Sequence, residues 1–171
     1  MYVLGKYIGK EKVNAALRHL LQKRAAGELP LPTTLDLYQE LKQVTPDSLS
    51  YLLSDLFTRN TYWRLKTKQV AAEQTKIGNW KVTLKVQAQK VVIDTAGHET
   101  EVAMNDLLEV GLFEKSNRGE KPLYLRMHRI RSGEQTITVT VPRKPARGGI
   151  DPNLLMIDLR YDDNMMELEE K

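Results

Sequence analysis

The amino-acid sequence predicts an α+β protein, helices first and an antiparallel β-sandwich after. The hydrophobic period changes once, near Asn60. Before it, apolar residues recur at helical spacing, as in Leu49, Leu52, Leu53 and Leu56; after it they alternate, as in Trp80, Val82, Leu84, Val86 and Ala88. A period of 3.6 marks a helix with one buried face and a period of two marks a half-buried strand. The expected division is therefore a helical segment over residues 1–60 and a β domain over residues 61–171.

In the first segment, Val3, Leu4, Tyr7 and Ile8 form a short apolar stripe ending at Gly9, a good helix terminator. No capping residue precedes Val3, and so short a helix is marginal in water, so the helix is expected to continue upstream in a longer parent protein. A second helix is expected from about Lys10 to Arg24, with Val13, Ala16, Leu17, Leu20 and Leu21 inward, and Gly27 and the Pro30–Pro32 stretch end it. Thr33 or Thr34 caps a third, with Asp36 in its first turn and Leu37, Tyr38 and Leu41 inside. Thr45-Pro46-Asp47 reads as cap, first-position proline and acid for a fourth helix ending near Thr58. A helical unit of this size buries little surface alone. Its leucine faces need the β unit, an absent partner or a second copy to cover them.

In the second segment, Trp63, Leu65 and Thr67 alternate, and then Val70 and Ala72 take the other parity, as one extra residue would cause. Ile77-Gly78-Asn79 turns into a strand from Trp80 to Ile93 whose other face is Lys81, Thr83, Lys85, Gln87 and Gln89. One wet face means an antiparallel sheet. Asp94–His98 is a turn. Val102 and Met104 mark a short strand, and Leu108, Val110 and Leu112 another. Lys115–Lys121 reads as a polar loop. Leu123, Leu125 and Met127 alternate, as do Ile137, Val139 and Val141 after the Ser132-Gly133-Glu134 turn. A proline- and glycine-rich link over Pro142–Pro152 leads to a last strand at Leu155, Ile157 and Leu159. About seven strands at this spacing favour an immunoglobulin- or fibronectin-like sandwich, with a closed barrel as the alternative.

Composition narrows the chemistry. With no cysteine, disulfides and thiolate metal sites are excluded. No apolar run approaches the roughly 18 residues that span a bilayer, so the chain is expected to be soluble by itself. The net charge of +4 is unevenly spread: Arg118–Arg147 holds eight basic and two acidic residues, and Asp151–Lys171 seven acidic and two basic. The two stretches can neutralise each other or remain solvated surface. Within the basic stretch, Arg126, Arg129 and Arg131 are the candidate anion or partner surface; Arg126 and His128 share one strand face, Arg129 and Arg131 the other. Nucleic acid is not expected, because only Tyr124 interleaves with these cations.

His19, His98 and His128 have no second ligand at metal spacing, and HExxH, GxSxG, the P-loop and GxGxxG are all absent. Arg147-Gly148-Gly149-Ile150 reads as a flexible turn. Asp158, Asp162, Asp163 and Asn164 bring oxygen ligands together, a set calcium favours, but without EF-hand spacing. The same residue types also bond local backbone at a solvated strand end. A stand-alone enzyme built on this cluster lacks a nucleophile and an activated base.

Four segments taken together resemble one family. They are Met1-Tyr2-Val3-Leu4 through Tyr7-Ile8-Gly9-Lys10-Glu11-Lys12-Val13-Asn14-Ala15-Ala16-Leu17-Arg18; Thr45-Pro46-Asp47-Ser48-Leu49 with Asp55-Leu56-Phe57; Gly97-His98-Glu99-Thr100-Glu101-Val102; and Gly149-Ile150-Asp151-Pro152 to Ile157-Asp158 and Asp162-Asp163-Asn164. Their order and spacing are similar to the C-terminal region of bacterial membrane-bound M1-family (gluzincin) zinc aminopeptidase-like proteins, many of them fused to a transporter-permease-like membrane part. Leu159 departs from the pattern, standing where arginine is expected after the Ile-Asp pair. The resemblance implies that the zinc site and catalytic tyrosine precede the segment matching Met1, so no catalytic, cofactor or metal residue carries over and zinc is expected only in the parent. It implies a non-catalytic C-terminal fragment, partnered by the remainder of the parent chain and reaching a bacterial cell membrane only through that parent. The alternative is an independent sandwich module that binds a protein, a glycan or an anionic surface.

Overall fold

The structure, a computed structural model, describes residues 1–23, 29–116 and 119–169. The chain forms two compact units, Met1–Asn60 and Thr61–Lys171. The boundary coincides with the change of period.

The first unit holds α1 (Tyr2–Ile8), α2 (Lys10–Lys23), α3 (Thr34–Val44) and α4 (Ser50–Phe57). Gly9, at φ 94°, ends α1 in the left-handed region that glycine enters freely. On α2 the buried residues are Val13, Ala16 and Leu20, but Leu21 is 67% exposed and does not belong to the inner face. The expected end of α2 at Arg24 and its terminator Gly27 lie outside the described residues. Thr33 and Asp36 cap α3 reciprocally, each side chain accepting from the other's backbone N–H. Thr45 does not cap the fourth helix. Its hydroxyl donates back to the Leu41 carbonyl at 2.7 Å, closing α3. Pro46 then opens a single 3₁₀ turn, Asp47–Leu49, ahead of α4. Glu40 is 3% exposed and accepts from Lys23, with the His19 ring 2.5 Å away.

The second unit holds β1 (Asn60–Gln74), β2 (Trp80–Ile93), β3 (Glu99–Val102), β4 (Asn105–Ser116), β5 (Gly119–Arg131), β6 (Gly133–Val141), β7 (Arg147–Ile150) and β8 (Met165–Glu167). These make two separate four-stranded sheets. In one, β2 lies between β1 and the pair β3 and β6; the other runs β5-β4-β7-β8. Every described pairing between strands is antiparallel. On β1 the buried positions pass from Trp63, Leu65 and Thr67 to Val70, the expected shift of parity.

The core lies between the sheets. Leu84 of β2 reaches within 3.1 Å of where a Cβ on Gly148 of β7 would sit. Across the same interior, Asp106 of β4 takes both the Trp63 indole N–H at 3.0 Å and the Lys90 ammonium at 2.8 Å. Lys90 and Asp106 are 5% and 3% exposed, so this pair is fully inside. A buried pair adds little net stability, but removing one partner strands the other's charge.

Three expectations fail here. Residues 115–121 are not a polar loop: Lys115 and Ser116 end β4 and Gly119–Lys121 begin β5, while Asn117 and Arg118 lie outside the described residues. Arg147-Gly148-Gly149-Ile150 is not a flexible turn but β7, an inner strand. Its glycines are needed because a Cβ on Gly149 would collide with the Asn164 carbonyl and one on Gly148 with Leu112, 2.5 Å away. Leu155, Ile157 and Leu159 form no strand. Leu155 and Met156 are both buried while Ile157 and Leu159 are 57% and 72% exposed, so the alternation belongs to a loop making one parallel bridge from Asp158 to Trp63.

Candidate functional site

Two surfaces of the β unit have the makings of a site. The first is a cleft of about 460 Å³ lined by Tyr62, Arg64 and Lys66 of β1, Gln87 and Gln89 of β2, Glu99 and the loop from Asp158 to Asp163. Arg64 and Lys66 take the parity opposite to Trp63 and Leu65, so strand alternation aims them away from the core, while Tyr62, of the same parity, is buried at 4% exposure. Arg64 donates to the Tyr62 hydroxyl at 2.5 Å and to Glu99 at 2.7 Å, and Lys66 pairs with Asp163 at 3.3 Å. Burial, assisted by Glu99, raises the pKa of Tyr62 above the ordinary phenol value, which keeps it a neutral phenol. The cleft is therefore walled by two ion pairs, Arg64 with Glu99 and Lys66 with Asp163, beside the Tyr62 phenol, with Arg160 also in its lining.

The loop over this cleft contains the candidate calcium cluster; Asp158 and Asn164 turn inward to the backbone, whereas Asp162 is exposed and Asp163 pairs with Lys66 through one oxygen and leaves the other buried without a hydrogen-bond partner among the described residues. Asp158 accepts from the Leu65 N–H at 3.0 Å with one oxygen and from the Arg160 N–H at 2.9 Å with the other. Asn164 is fully buried; with its amide turned to satisfy both ends, its nitrogen donates to Asp158 at 3.1 Å and to the Leu65 carbonyl at 2.9 Å. The Asn164 carbonyl accepts from the Thr67 hydroxyl at 2.6 Å and the Ile150 N–H at 3.0 Å. Just upstream, Asp151, at φ 48° and 1% exposed, accepts from the N–H groups of Leu155 and Met156, each at 2.9 Å. Burial outweighs those two bonds and pushes its pKa up to about 6. These contacts staple residues 151–164 onto β1 and β7.

The second surface is β5. Its register sets Tyr124, Arg126, His128 and Ile130 opposite Leu112, Val110, Leu108 and Asp106, and it sets Arg129 and Arg131 opposite Leu107 and Asn105. The three candidate arginines therefore divide between two faces, as the strand period requires. Arg126 lies over the Tyr124 ring, 5.7 Å from its centre, and the Tyr124 hydroxyl is 2.8 Å from His128 Nε2. Burial holds the His128 pKa below the usual imidazole value, so the ring is neutral at pH 7. Arg129 donates to the Asn105 carbonyl at 2.8 Å.

The three histidines are separately engaged, His19 with Glu40, His98 with Asp94 and His128 with Tyr124. Among the described residues no three His, Cys, Asp or Glu side chains converge to hold a metal, so the donors present do not fit a zinc site. No helix among the described residues is long and apolar enough to cross a membrane. No protein-family model matches the chain, and no curated protein matches it.

Proposed function

We propose that this chain is the non-catalytic C-terminal part of an M1-like zinc metallopeptidase, serving to buttress the catalytic region or a partner, with its β unit an immunoglobulin- or fibronectin-like sandwich. The observation that carries this reading is how the polar residues of the family-like segments spend their hydrogen bonds. Asp151, Asp158 and Asn164 all bond the chain's own backbone. In the turn before β3, Asp94 accepts from the backbone N–H of Ala96 and of His98, which fixes the Gly97-His98-Glu99 segment. Thr45 closes α3. Side chains that satisfy backbone donors in this way shape a scaffold and leave few groups to meet a substrate. The sandwich reading draws support from two four-stranded antiparallel sheets with Leu84, Gly148 and the Lys90–Asp106 pair between them.

Under this reading zinc and the reacting groups belong to the parent, upstream of Met1. The test uses the purified chain, an aminoacyl p-nitroanilide panel and elemental analysis. The expected result is turnover at the buffer rate and far less than one zinc per chain. Peptidase turnover that survives repurification and falls on chelation overturns the proposal. So does an upstream reading frame without HExxH.

A further inference from the structure

We infer that β5 is a docking edge for a short, acidic, extended segment of another protein, added to the sheet as one more strand. This goes beyond the scaffold role. β5 ends its sheet, pairing with β4 on one side only. The direction of its free groups follows from Gln135. Its side-chain amide meets the Arg131 main chain from outside the sheet, the nitrogen donating to the Arg131 carbonyl at 3.1 Å and the oxygen accepting the Arg131 N–H at 3.5 Å. In a strand, N–H and C=O of one residue point the same way and reverse at the next. The main-chain groups of Met127 and Leu125, which share the parity of Arg131, therefore also point away from β4. The register runs unbroken from Tyr124 to Arg131, its one shift lying at Leu112/Phe113. Gln135 thus imitates a neighbouring strand at one end of the edge. Among the described residues nothing imitates it at Leu125 and Met127.

The charge of the edge selects its occupant. Lys121, Arg126, Arg129 and Arg131 lie along β5, and its one acid, Glu120, is already paired with Arg147 at 2.5 Å. A second copy of β5 would set cation against cation, which disfavours self-pairing. An acidic strand meets Arg126 on one face and Arg129 on the other. Both guanidinium groups are held in place, Arg126 by the Tyr124 ring and Arg129 by the Asn105 carbonyl, so little ordering is left for binding to impose. Main-chain bonds supply affinity in strand addition, and alternate side chains supply specificity.

The test titrates the full chain with an acetylated Glu-Glu-Val-Glu-Glu peptide, whose glutamates lie on both faces of a strand, at low salt. Comparison probes are its N-methylated analogue, blocked on alternate amides, a Lys-Val counterpart and heparin. The expected result is saturable binding of the acidic peptide, at least about tenfold weaker for the N-methylated form and absent for the Lys-Val form. Arg126→Glu with Arg129→Glu should weaken binding about tenfold or more while leaving the unfolding midpoint nearly unchanged. Met127→Pro removes an outward N–H without touching the β4 ladder and should also abolish binding. Failure of the acidic peptide to bind overturns the inference. Equal binding of the N-methylated form also overturns it, as does heparin binding with no effect of the main-chain block, because charge alone would then explain the surface.

Discussion

The two units each bury a carboxylate and neutralise it differently. In the helical unit Glu40 is 3% exposed, but its partners are surface groups, His19 at 57% and Lys23 at 58%. Water can reach that side of the cluster and replace a lost partner. In the β unit Asp106 meets Lys90, 6% exposed, and the wholly buried Trp63. Burial shields that pair from bulk solvent. The same contrast runs through the ties of each unit. The helical unit's caps join near neighbours in sequence, Thr33 with Asp36 and Thr45 with Leu41, and its Glu40 reaches back only 21 residues to His19. The β unit is sewn together by Leu65 with Asp158 and Thr67 with Asn164, over 90 residues apart. One unit is organised by local signals and the other by distant polar clamps.

The sharpest way to break this contrast is Asp106→Ala, which strands the Lys90 charge and the Trp63 donor inside the core. Urea unfolding followed by Trp fluorescence should show the β unit losing about 3–5 kcal/mol. Adding Lys90→Met should recover part of the loss. Next comes pH. The Asp151 pKa, raised from 3.8 to about 6, means that the native β unit binds this proton more tightly than the unfolded chain. Its contribution is full below about pH 4 and is lost as pH rises through about 6, a difference of about 3 kcal/mol. Glu40 runs the other way. Its hydrogen bond to His19 lowers its pKa below 4.5, so its stabilisation is present above that value and is lost as pH falls through the depressed one. Asp94, also lowered, adds the same sign to the β unit, but only below its ordinary 3.8. Hydrogen exchange measured at pH 4.5 and 7 should therefore show β7 amides better protected at the lower pH, and Asp151→Ala should remove that gain. The smallest effect is Thr33→Ala, which removes one half of a solvent-exposed capping box and should cost about 1 kcal/mol, read as faster exchange in the first turn of α3.

What could be read from the sequence divides along the same line. Period located α1 to α4, with a cap at α3, and the strands β1, β2, β4, β5 and β6, because each rests on neighbours three to four, or two, residues apart. The parity shift after Thr67 was legible for that reason. β7 was not. Its glycines look like a turn until Asn164 is known to approach them, and that contact spans 15 residues of irregular chain. The loop around Leu155–Leu159 misled by accident of spacing, since its backbone is held by Asp151, Asp158 and Trp63 rather than by a ladder. Glu40 and Asp106 carry no local mark of burial, because their partners lie on other elements. The division of Arg126 from Arg129 and Arg131 followed directly from strand period, whereas the open edge between them needed Gln135 in place.

Asp158 and Asn164 together act as a backbone clamp on the loop after β7. Urea unfolding of the wild type and of Asp158→Ala, each in chelator and in millimolar calcium, tests it most directly. Loss of the acceptor for the Leu65 and Arg160 N–H groups should cost about 2–3 kcal/mol in both solutions, with the wild type indifferent to calcium. A wild type that calcium stabilises, with a loss in the variant confined to the calcium solution, would contradict the account.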